Sequence, residues 1–80
     1  MDETIRRVLA DHGKLAVDAA ELGVDDDLYQ MGLSSHASVN VMLALEDAFE
    51  VEFPDDLLTR STFQSVASIR RALEGLGASA

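Results

Sequence analysis

Cysteine is absent from the 80 residues. No disulfide can staple the chain, no thiolate can bind a metal or attack a substrate, and nothing marks a secreted context. Basic residues are scarce. Six Lys and Arg stand against fifteen Asp and Glu, giving a net charge of −9 and a pI near 4.3. Phosphate contacts need Lys and Arg, so this balance argues against nucleic acid as a partner. It favours solubility and attraction to basic protein surfaces. No apolar run approaches the roughly 20 residues that cross a bilayer. The first residues are acidic and amphipathic, unlike the basic and then apolar order of a secretory signal. A cytoplasmic monomer that engages neither membrane nor nucleic acid is therefore expected. Internal repeats and strand patterns are missing too. Eighty residues make one domain, 1–80, with a limited core.

What is present centres on Met31–Phe49, MGLSSHASVNVMLALEDAF. At about 100° per residue, Ser38, Val41, Met42, Leu45 and Phe49 share one stripe of a helical wheel. Leu45 and Phe49 are expected to be buried. Gly32 disfavours a helix interior, so the helix begins after it. Either Ser34 or Ser35 is the natural N-cap, leaving one hydroxyl exposed at the positive end of the helix. Free N–H groups and the helix dipole suit an anion there. The plainer alternative is that both serines only cap. Val39 and Leu43 lie off the stripe, on the side adjoining Ser35, with Asn40, Ala44 and Asp47 further out. They either pack under the preceding loop or form an apolar docking strip.

Around this stretch, Asp2–His12 reads as a first helix with Ile5, Val8 and Leu9, joined by His12, on one side and Gly13 as its stop. Lys14–Leu33 is too long for an unstructured connection in a small domain. It reads as an ordered loop with a helical turn in Asp18–Leu22 or Asp26–Gln30. Asp25, Asp26 and Asp27 lack calcium-loop spacing and read as a cap plus solvated acids. Glu50–Phe53 is extended. Pro54 fits the first position of a short helix that buries Leu57 and Leu58. Ser61 or Thr62 caps the last helix, which runs to about Leu73 and is stopped by Gly75 and Gly77, with a frayed tail over 75–80. The expected fold is all-α: a small bundle of three longer helices and one short one, with a long ordered first loop.

Little in this pattern supports catalysis. Ser35 and His36 are sequence neighbours on a helix and point about 100° apart, so they do not form a nucleophile and base. His12 and His36 have no partners at metal-ligand spacing. Neither catalytic nor metal-binding residues are assigned.

The segment Gly32-Leu33-Ser34-Ser35-His36, continuing through Val39, Val41, Leu45, Glu46 and Phe49, resembles the attachment segment of the acyl carrier protein family. The resemblance extends downstream to Phe53-Pro54-Asp55 and Ser61-Thr62-Phe63, and so covers nearly the whole chain. It implies that Ser35 carries 4′-phosphopantetheine and that the protein holds an acyl or aminoacyl group as a thioester. The implied partners are a phosphopantetheinyl transferase, an acyl- or aminoacyl-loading ligase and a downstream acyl-transfer enzyme. Two departures stand out: Ser34 replaces the usual Asp, and His36 the usual Leu. The helix start also lacks the acids typical of fatty-acid carriers, having Ser34, Ala37 and Asn40 instead. This resembles the stand-alone carriers charged with an amino acid by ligases similar to truncated class II aminoacyl-tRNA synthetases. Ser34, His36, Val39, Asn40 and Leu43 then form the partner-binding surface around Ser35. The competing readings are a fatty-acid or polyketide carrier and an unmodified acidic helical adaptor.

Overall fold

A computed structural model describes residues 1–78. Three α-helices account for its regular structure: α1 (Asp2–His12), α2 (Ser35–Phe49) and α3 (Val66–Gly75). Single 3₁₀ turns at Ala19–Glu21 and Asp55–Leu57 interrupt the connections, and no strand occurs among the described residues. None of these helices is long and apolar enough to cross a membrane.

Helix α1 carries Asp2 and Glu3 in its first turn, where negative charge suits the dipole, and buries Ile5, Val8 and Leu9. It ends at Gly13 as expected. The left-handed residue, however, is Lys14 at φ 51°, while Gly13 keeps a right-handed conformation. Helix α2 buries Ala37, Val41 and Leu45 at its centre. Phe49 is only half-buried, because it lies at the open end of the helix beside the exit toward Val51. That exit is tied back by Glu46, whose side chain accepts from the Phe53 N–H at 2.7 Å. Ile69 and Leu73 of α3 close the core, each fully buried with Val41 and Leu45.

The first loop is ordered through buried side chains and backbone bonds. Ala19, Leu22, Leu28 and Leu33 are buried. Arg6 reaches across from α1 to the Ala19 and Leu22 carbonyls at 2.9 and 2.6 Å. Loop and α3 are joined where the Ala67 N–H donates to Val24 O and the Leu28 N–H to Gln64 O, at 2.9 and 2.7 Å. Asp18, Asp26 and Asp27 accept from nearby backbone N–H groups, so the acidic run serves its own turns, with Asp25 exposed.

Three expectations about the C-terminal part need correction. Pro54 precedes the 3₁₀ turn as its cap rather than opening a helix, and Leu58 is 46% exposed while Leu57 is half-buried. One 3₁₀ turn has too few residues to present two consecutive leucines to the same core. The last helix is capped by Ser65, not by Ser61 or Thr62. Thr59 bonds to both Ser61 and Thr62 within a separate turn, and Phe63 is drawn inward to pack on Phe53 at a centroid distance of 5.5 Å. Residues 76–78 are held, not frayed. The Gly77 N–H donates to Glu74 O and the Ala78 N–H to Leu73 O, both at 3.0 Å, a Schellman stop with Gly77 at φ 87°. Residues 79 and 80 lie outside the described residues.

Candidate functional site

The site is built from the turn that precedes α2. Residues 28–33 close a single helical turn, with the Gly32 N–H donating to Tyr29 O at 3.3 Å and the Leu33 N–H to Leu28 O at 3.0 Å. Gly32 takes φ 110°, and a Cβ there would stand 3.1 Å from Ala16 N. That nitrogen is itself engaged, donating to Met31 O at 2.8 Å. Glycine is thus required both by the backbone angle and by the close approach of the first loop.

The turn delivers Ser34 in an extended conformation, φ −88° and ψ 163°, and its Oγ accepts from the Ala37 N–H at 3.0 Å. Ser34 is therefore the cap, which resolves the alternative left open by the sequence. Ser35 becomes the first residue of the helix and is exposed. Its carbonyl accepts from Ser38 Oγ at 2.7 Å, while its own hydroxyl has no hydrogen-bond partner among the described residues. The backbone N–H groups of Ser35 and His36 are likewise unengaged among those residues. A hydroxyl beside free donors, with no acid in the first turn of the helix, suits a covalently attached anionic group.

Space for such a group lies alongside. An open cleft of about 490 Å³ is lined by Ser35, Val39 and Met42 of α2, by Leu58 and Phe63 from the segment before α3, and by Tyr29 and Arg60. The Arg60 guanidinium sits 4.1 Å from the centre of the Tyr29 ring. A bulky substituent on Ser35 Oγ can enter this cleft without disturbing the core. The residues present therefore fit a phosphopantetheine arm.

Val39 and Leu43 are 51% and 53% exposed, so they do not pack beneath the loop. They form an apolar strip on the outer face of α2, flanked by exposed His36 and Asn40. Leu43 and Asn40 also border a groove shared with Arg7 and His12 of α1. All six residues singled out from the sequence thus gather at the start and outer face of α2. Sequence reasoning missed the opposite wall of the cleft, Tyr29, Leu58 and Arg60. The available signal was weak: one basic residue and the lone tyrosine of an acidic chain.

Comparison with known proteins agrees with this geometry. The family model for the phosphopantetheine attachment site matches residues 3–73. An aminoacyl carrier protein of Agrobacterium fabrum is 48% identical over 69 residues, which are 86% of this chain and 83% of the relative. Among solved structures, a carrier protein from Agrobacterium tumefaciens matches with a TM-score of 0.90 and 44% identity, over 92% of this chain and 99% of the other. It was solved with AMP and an engineered Bradyrhizobium japonicum glycine:[carrier protein] ligase. A complex of the Bradyrhizobium japonicum ligase with a glycylated carrier protein matches with a TM-score of 0.76 and 31% identity, over 89% and 95% of the two chains.

Proposed function

The chain belongs to the phosphopantetheine-attachment family and is a homologue of an aminoacyl carrier protein, and we propose that it carries an amino acid on an arm attached through Ser35. The observation that carries this reading is the division of labour between two adjacent serines. Ser34 takes the capping bond, so Ser35 Oγ is left exposed and free. When bound, phosphopantetheine supplies a long flexible arm ending in a thiol, which this cysteine-free chain does not have.

The chain's own residues do the rest. Gly32 fixes the turn that presents Ser35. Val39 and Leu43 offer the loading ligase an apolar strip, with Asn40 where a fatty-acid carrier would have an acid. His36 and Ser34 flank the attachment point and are read together with it. The protein performs no chemistry itself and serves as a substrate of other enzymes. A small cargo, glycine foremost, is favoured by the ligase complexes of its relatives.

Intact mass after co-expression with a broad-specificity phosphopantetheinyl transferase tests the reading. One added arm is expected, and an unchanged mass under active transferase would leave the acidic adaptor as the better description. Loading by a glycine ligase across a salt series then tests the partner surface. Exposed charges are screened within about 10 Å at 0.1 M salt. Weak salt dependence, impaired loading of Leu43→Ala and poor exchange with fatty-acid-synthesis enzymes are expected. Normal loading of Leu43→Ala, or better loading of Asn40→Glu that added salt abolishes, would show that charge governs recognition.

A further inference from the structure

Basic side chains are few in this chain, and two of the six are bonded away from Ser35. Arg6 serves the Ala19 and Leu22 carbonyls, and Arg70 is paired with Asp2 at 2.8 Å. Arg7 lines grooves on α1. Of the six Lys and Arg, Arg60 is the one that lines the cleft containing Ser35. It is exposed, and no carboxylate pairs with it among the described residues. Its recorded contact is the face of Tyr29, at 4.1 Å. That contact uses the face of the guanidinium and leaves its in-plane N–H groups free to donate to a phosphate.

We propose that Arg60 is the positioning residue for the arm: its guanidinium pairs with the phosphodiester on Ser35 and lays the arm along the cleft toward Val39 and Met42. The inference rests on attachment at Ser35. Its physical basis is the charge balance. A phosphodiester adds another negative charge to a chain already at −9, and the cleft offers one cation to offset it. Guanidinium geometry matches phosphate oxygens in a way that an ammonium does not. The chain has one tyrosine and no tryptophan, so changes at the Tyr29 ring can be assigned to a single residue.

The test uses holo protein confirmed by intact mass to bear one arm on Ser35. Phosphorus NMR and the Tyr29 ring resonances are recorded for wild type, Arg60→Gln and Arg71→Gln, with circular dichroism confirming the fold. Salt is varied from about 10 mM, where the screening length is ~30 Å, to about 1 M, where it is ~3 Å. Arg60→Gln is expected to shift the phosphorus resonance at low salt and lower the docked-to-free ratio of the arm by up to about five-fold, the upper range for an exposed ion pair. That difference should fade at high salt. Because Tyr29 lines the cleft, its ring signals should move on conversion from apo to holo in both wild type and Arg60→Gln, with the salt-sensitive part of the change confined to wild type. Arg71→Gln, exposed on α3 and outside the cleft, should behave as wild type.

A phosphorus signal indifferent to Arg60→Gln overturns the inference, as does an equal shift in Arg71→Gln. Impaired ligase loading of Arg60→Gln with an unmoved phosphorus signal also overturns it and makes Arg60 a partner contact. Failure of any arm to attach at Ser35 is a different result, which removes the proposed function itself.

Discussion

Helices α2 and α3 both begin on a serine cap, yet one start is closed and the other open. At α3, Ser65 Oγ accepts from the Ser68 N–H at 3.0 Å, and Ser68 Oγ accepts in return from the Ser65 N–H at 3.0 Å. Ser68 also donates to Thr62 O at 2.9 Å, and the Ala67 N–H is taken by Val24 O of the first loop. The first helical residue is Val66, fully buried. At α2 the third helical position is Ala37, which has no oxygen to complete a reciprocal box. The first helical residue is Ser35, and it is exposed. Serine is thus structural at one helix start and available at the other. What decides between these roles is whether the third residue and the neighbouring loop consume the free donors of the first turn.

The largest effect expected from this contrast is at the open start. Ser35→Ala should abolish the added arm mass completely, while stability stays within about 0.5 kcal/mol, as is usual for an exposed substitution. Intact mass and a urea melt read the two quantities separately.

The same opposition continues along α2, whose inner face is sealed and outer face bare. Leu45→Ala removes a fully buried side chain and should cost about 2–5 kcal/mol. That is enough to unfold much of a small domain at ambient temperature. Leu43→Ala should stay within about 0.5 kcal/mol by urea denaturation. Equal midpoints for the two variants would mean that the faces have been assigned the wrong way round.

Next in size is Ser65→Ala, which breaks the closed start. The lost cap should cost up to about 2 kcal/mol, because the Ser68 N–H and hydroxyl lose a partner in a part-buried setting. Arm attachment should be unaffected wherever the variant remains folded.

Of the two caps, the smaller loss is expected for Ser34→Ala. The cap there makes a single part-buried bond and no reciprocal one, so about 1 kcal/mol is at stake. The arm should still be found on Ser35 by peptide mapping. An arm that persists in Ser35→Ala and disappears in Ser34→Ala would exchange the roles of the two serines and undo the contrast.

Sequence alone fixed whatever depends on neighbours within a turn or two. The bounds of α1 follow from its 3.6-residue spacing and acidic first turn, and the start of α2 from a glycine followed by two serines. An exposed serine hydroxyl at that start was legible for the same local reason, and family resemblance is what proposes Ser35 as the attachment residue. The choice of Ser34 as cap was not, because either hydroxyl can cap until the Gly32 turn sets the backbone angle at which α2 begins. The exposure of Val39 and Leu43 also needed the fold, since a helical wheel gives directions but not what lies in them. The sequence pointed to Ser61 or Thr62 as the cap of α3, and the structure uses Ser65 instead. Ser65 won because Phe63 is pulled onto Phe53 and the loop carbonyl of Val24 meets Ala67, contacts between segments distant in sequence. The cleft is of the same kind. Tyr29 and Arg60 come from opposite sides of α2 in the sequence, and only packing of the first loop against the segment before α3 brings a cation into the cleft that Ser35 lines.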